Sequence, residues 1–123
     1  MLSRFFRNPD PQEVTQICSA TRISKRLARR ILFRFDAQRY TEITQLLLAQ
    51  SDDHLFHDPV EDLPDMAETL VSASDDANAE LAGIERGMGF CHRFWRTKKR
   101  ILKTKYGVDW LTPGEMNPSA RFD

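Results

Sequence analysis

Apolar residues recur at steps of three and four through most of the chain, and no stretch alternates with a period of two. The pattern predicts an all-α fold: a small helical bundle with short N-terminal helices and one long C-terminal helix. Asp10-Pro11-Gln12-Glu13 reads as a helix start, with Asp10 able to cap free amides, Pro11 suited to the first helical position and Glu13 three residues beyond the cap. Val14, Ile17, Cys18 and Thr21 follow at helical spacing, and the first helix should stop near Thr21-Arg22. Ser24 can cap a second helix through Phe35, with Leu27, Ala28, Ile31, Leu32 and Phe35 on one arc and Lys25, Arg26, Arg29, Arg30 and Phe33 on the other. A third helix runs from Asp36 through Tyr40, Ile43 and Leu46 to Leu48; the second and third could also be continuous.

The periodicity fails from Ser51 to Asp65, where Asp52, Asp53, Asp58, Pro59, Glu61, Asp62 and Pro64 predict an acidic connection pinned to the core by Leu55, Phe56, Val60 and Leu63. A short helix should follow to about Ser72, with a break near Ser74-Asp75-Asp76. Next, Ala77, Leu81, Ile84, Met88, Cys91, Trp95, Lys98 and Leu102 form a seam repeating every 3.5 residues. A single helix over 75–106, stopped by Gly107, would be roughly 48 Å long at about 1.5 Å per residue. One small domain hardly covers that length, so Leu81, Ile84, Met88 and Trp95 are assigned to a partner or oligomer interface. Ala79, Gly83 and Gly87 make a row of small residues that suits close helix packing, with a kink at Gly87-Met88-Gly89 as the alternative. Val108, Trp110, Leu111 and Met116 look like a tail folded back on the body, with Thr112-Pro113-Gly114-Glu115 as a turn or a short capped helical turn.

A length of 123 residues fits a single domain. Within it we expect a helical hairpin over 10–50, the acidic connection over 51–65, the long helical segment over 66–106 and the tail over 107–123. No apolar run has the length of a signal-peptide core or a membrane span, so a soluble, cytoplasmic protein without a membrane role is expected. Cys18 and Cys91 lie on apolar helix faces, as small buried hydrophobes would, rather than as a disulfide framework.

Charge changes the picture more than composition does. The formal net charge is zero, but residues 1–39 hold nine Lys or Arg against three acids, residues 40–85 hold twelve acids and no Lys or Arg, and residues 86–123 hold nine basics against three acids. Either the blocks neutralise one another or form solvated faces, or a basic surface meets a polyanion while the acidic block shields it.

The run from Val14 to Leu32 resembles a helix-turn-helix: a first helix with the small Cys18 at its inner position, a short turn, Ile23-Ser24 opening the second helix, and Leu27, Ala28 and Ile31 inward. Arg22 stands where glycine is usual in the turn. The resemblance implies a second helix in the major groove with Ser24, Lys25, Arg26 and Arg29 toward the bases, where arginine can bridge two acceptors of guanine or clamp a phosphate. A second basic cluster, Arg93, Arg96, Lys98, Lys99, Arg100, Lys103 and Lys105, is interleaved with His92, Phe94, Trp95 and Tyr106. Arg93, Arg96, Arg100 and Lys103 share one face, where phosphate contacts would be strong and salt-sensitive.

Nothing in the sequence announces catalysis. Nucleotide-binding glycine loops are absent, and Cys91-His92 are neighbours that point apart on a helix. His54, His57 and His92 lack the paired, tightly spaced ligands of zinc sites. We therefore expect no enzyme activity, cofactor, bound metal or small-molecule substrate. The leading expectation is a nucleic-acid-associated regulator or accessory factor acting through Lys25, Arg26, Arg29, Arg30, Arg93, Arg96, Arg100 and Lys103, with a protein partner or homo-oligomer at the seam. The rival is an adaptor, inhibitor or assembly factor that docks through its acidic middle and long helix.

Overall fold

The structure, a computed structural model, describes residues 10–50 and 55–122. Among the described residues there are six α-helices, linked in places by 3-10 turns, and no strand. The helical bundle and long C-terminal helix expected from periodicity are present. Contacts group the chain into two compact units, residues 1–51 and 52–123, a division that chain length alone did not suggest.

The first unit contains α1 (Gln12–Ala20), α2 (Lys25–Leu32) and α3 (Tyr40–Leu48), with α1 against both of the others. Val14 and Ile17 of α1, Leu27, Ala28, Ile31 and Leu32 of α2, and Ile43 and Leu47 of α3 are buried, as the apolar arcs require. The Ser24 hydroxyl accepts from the Leu27 amide at 3.1 Å, the cap expected for α2. Helices α2 and α3 are separate, because the chain leaves α2 at Phe33 and re-enters through a 3-10 turn, Ala37–Arg39, after the extended Asp36.

The start of α1 departs from expectation. Pro11 occupies the cap position with no side-chain bond, and Asp10 does not cap at all. Its carboxylate instead accepts two bonds from the Arg29 guanidinium, one of them from Nη2 at 2.7 Å, and lies 2.9 Å from Lys25 Nζ. A bidentate, charge-assisted pair outweighs a single bond to a backbone amide.

The second unit opens with two 3-10 turns, Pro59–Asp62 and Pro64–Met66, and continues as α4 (Ala67–Glu80), α5 (Phe90–Tyr106) and α6 (Pro113–Met116). Helix α4 runs unbroken through Ser74-Asp75-Asp76, with Leu70, Ala73 and Ala77 buried on one face and α5 packed beside it. The break comes later. Residues 81–89 leave the helix, so the seam expected over 75–106 belongs to two helices rather than one.

Glycine explains that position. Gly83, Gly87 and Gly89 fall within seven residues, each costing about 1 kcal/mol relative to alanine in a helix. Gly89 has φ 82°, a left-handed conformation that a side chain would strain, and it sits at the entry to α5. A Cβ on Gly83 or Gly87 would meet nothing within 4 Å, so close helix packing does not account for these residues and the break does. Gly107, with φ 69°, ends α5 as expected, and the Val108 amide reaches back to the Leu102 carbonyl at 2.9 Å.

The acidic connection and the tail form one clasp. Asp58, fully buried, accepts from the amides of Val60 at 3.0 Å and Leu111 at 2.7 Å. Glu61 accepts from the Trp110 indole at 2.9 Å, and Asn117 bonds both the amide and the carbonyl of Phe56. Phe56, Val60 and Leu63 are buried as expected, whereas Leu55 is exposed. Thr112 and Glu115 form a reciprocal capping box, which makes residues 112–115 a short helical start.

Candidate nucleic-acid interface

The two basic segments fare differently. In the first unit, three of the four residues that the helix-turn-helix resemblance would aim at bases already have intramolecular roles. Ser24 caps α2, and Lys25 and Arg29 both pair with Asp10. The bonds to Arg29 and then Lys25 hold the Asp10 carboxyl well below the usual carboxylate range, and the same contact raises Arg29. Arg26 and Arg30 are exposed.

In the second unit, the acidic block takes the flanks of α5. Lys105 and Tyr106 both bond Asp76, at 2.8 and 2.7 Å, and lower its pKa. Lys99 bonds Glu115 at 2.7 Å and the Trp110 carbonyl at 2.9 Å. Lys98 lies 4.6 Å over the Trp110 ring, where burial lowers its pKa and the Glu61 charge opposes the change. Lys98 and Lys99 are part-buried in these contacts, whereas Lys105 makes its pair at the surface.

What remains is the expected stripe. Arg93, Arg96, Arg100 and Lys103 are all exposed and span an arc of roughly 80° at about 100° per residue. Arg100 pairs with Glu80 in a half-exposed contact that costs little to open. Arg93, Arg96 and Lys103 have no side-chain ion pair among the described residues, so their charge faces solvent.

The remaining candidates separate. Leu81 is buried, Ile84 is exposed and Met88 is 91% exposed, while Trp95 is half-buried edge-on to Phe122 with ring centroids 5.0 Å apart. The proposed interface therefore falls into a buried anchor, an apolar loop and an aromatic cluster. His92 Nε2 lies 2.8 Å from the Phe122 carbonyl, and His57 Nε2 lies 2.7 Å from Asp62. His54 lies outside the described residues, and among those described no three His, Cys, Asp or Glu side chains converge as a metal site. Both cysteines are half-buried, and neither is in a disulfide. No described helix is long and apolar enough to cross a membrane.

Sequence reasoning missed Asp10, which reads locally as a helix cap; its partner Arg29 lies nineteen residues away, and no local signal joins them. The exposure of Phe33 was legible, since it shares the polar arc of α2. Comparison with protein-family models, curated proteins and solved structures gave no match.

Proposed function

We propose that this protein is a non-enzymatic, nucleic-acid-associated factor that binds the phosphate backbone through the exposed stripe of α5. The observation that carries this reading is the selective neutralisation of α5. Acidic residues of the same unit hold Lys99 and Lys105, and Glu80 takes Arg100 in a half-exposed pair, yet Arg93, Arg96 and Lys103 stand in register with no ion-pair partner among the described residues. A charge block serving only internal neutralisation would be expected to pair its most regular row as well. With Lys25, Arg29 and Ser24 engaged in the fold, backbone contact is favoured over reading of base edges.

The test is a salt titration of binding to a labelled oligonucleotide. With about three to five phosphate contacts, log K should fall against log salt with a slope of roughly −2 to −4.5. Reversal of charge at Arg93, Arg96 and Lys103 together should abolish binding while the circular dichroism spectrum is unchanged. Wild-type protein that binds no nucleic acid at low salt would end this reading.

One observation favours the second reading, a protein-interaction module. Ile84 and Met88 stand exposed in the loop between α4 and α5, an apolar tip that could enter a partner's pocket. Its acidic half is less available than sequence suggests, because Asp58 and Glu61 are bonded within the clasp. Loss of a defined partner on Met88→Asp, with nucleic-acid binding absent, would decide for it.

A further inference from the structure

Helix α4 has an exposed face opposite the buried Leu70, Ala73 and Ala77. Val71 on this face is 62% exposed and lines a shallow groove with Ala67, Glu68 and Ser72. Glu68 and Asp75 bracket Val71, both exposed and without an ion pair among the described residues. Seven residues separate the two acids, which is two helical turns or about 10.5 Å. One small cation could not take both.

The stripe of α5 carries the complementary interval. Arg96 and Lys103, exposed and without an ion pair among the described residues, are also seven residues apart, as are Arg93 and Arg100. Two helices with opposite charges at one interval can pair in register. The aliphatic stem of Arg96 can then cover the groove while its guanidinium reaches a carboxylate. Within one copy this pairing is not made, because the acids of α4 that reach α5 are Asp76 and Glu80, through Lys105 and Arg100.

We propose that the outer face of α4 docks a second copy of this chain through that copy's α5 stripe, with Glu68 and Asp75 opposite Arg96 and Lys103 and Val71 covered between them. A second copy is favoured over an unrelated basic partner because this chain itself supplies the matching interval. The contact joins unlike surfaces, so each copy offers both a row and a stripe. The proposal goes beyond the nucleic-acid reading and does not depend on it.

Exposed ion pairs are individually weak and screened by salt, so the association is weak and salt-sensitive. The test is sedimentation equilibrium of the nuclease-treated full chain at about 0.1–1 mM protein, where contacts of millimolar to submillimolar strength register. The average mass should rise with concentration at about 0.02 M salt and return to the monomer value at about 0.5 M. Glu68→Lys with Asp75→Lys, and separately Arg96→Glu with Lys103→Glu, should each weaken association by about 5-fold or more without changing the circular dichroism spectrum. An equimolar mixture of the two variants should restore it, because every charge again faces its opposite. Met88→Asp, which alters the exposed loop instead, should associate like wild type. A monomer throughout at low salt, association that both charge reversals leave intact, no recovery in the mixture, or loss of association in Met88→Asp alone would overturn the docking. The salt titration with an oligonucleotide tests the nucleic-acid reading separately, so either reading can fail while the other stands.

Discussion

The two units use their acidic side chains in opposite ways. In the first, Asp10 sits on the basic face of α2 and takes two of its cations, Lys25 and Arg29, so the charge that this helix presents is smaller than its count in the sequence. In the second, Asp76 and Glu115 bind the flanks of α5, Glu80 takes Arg100, and Asp58 turns inward to hold backbone amides, so that Arg93, Arg96 and Lys103 of the stripe have no ion pair among the described residues. Counting charges along a segment therefore overstates both helices, since Lys99, Arg100 and Lys105 of α5 are paired and Lys98 lies over Trp110. What matters is the direction from which the acid approaches.

The largest test of this contrast lies at Asp58, whose role is architectural. Asp58→Ala would strand the amides of Val60 and Leu111 in a buried site, and each bond to a charged acceptor is worth about 1.5–3 kcal/mol. We expect a loss of roughly 3 kcal/mol or more in urea denaturation of the second unit, with Asp58→Asn recovering part of it through its remaining carbonyl. A loss below about 1 kcal/mol would mean that the clasp does not depend on this carboxylate.

A smaller effect is expected at the loop that divides the former seam. Gly89→Ala should destabilise by about 1–2 kcal/mol, because L residues are strained in the left-handed region. Gly87→Ala meets nothing nearby and should be neutral or slightly stabilising. Equal effects at the two glycines would show that conformation at Gly89 is not what fixes the break.

The subtlest test releases the masked cations of α2. Asp10→Asn should free Lys25 and Arg29 and steepen the salt slope of nucleic-acid binding by up to about 1.8 if both reach phosphates. The same variant bears on acid stability. Because the folded-state pKa of Asp10 is depressed, its contribution is present above the unfolded value of about 3.9 and is lost as pH falls below it toward the folded value. Asp10→Asn should thus be less stable than wild type at neutral pH, and the gap should close in acid. A gap independent of pH would remove the ion pair from the explanation.

Much of the architecture was legible because it depends on neighbours in sequence. The arc of Leu27, Ala28, Ile31 and Leu32, the Ser24 cap, the Gly107 stop and the α5 stripe all follow from helical spacing and local backbone preference. The continuous helix over 75–106 does not form because three clustered glycines interrupt the periodic pattern, although the seam residues on either side still suit a helical face. Asp75-Asp76 suggested a break that did not form, since Asp76 finds Lys105 and Tyr106 on α5 and gains more in the helix than outside it.

The sequence by itself determined that the chain is helical, where some helices begin or end, and which side chains lie together on each helix. Those properties arise from interactions over one or two turns. Only the tertiary structure decided which charges remain available: Asp10 meets Arg29, Asp58 meets Leu111 and Glu115 meets Lys99 across sixteen to fifty-three positions. The physical reason is that an ion pair or a buried hydrogen bond depends on proximity in space, and folding brings together residues whose separation along the chain gives no hint of it.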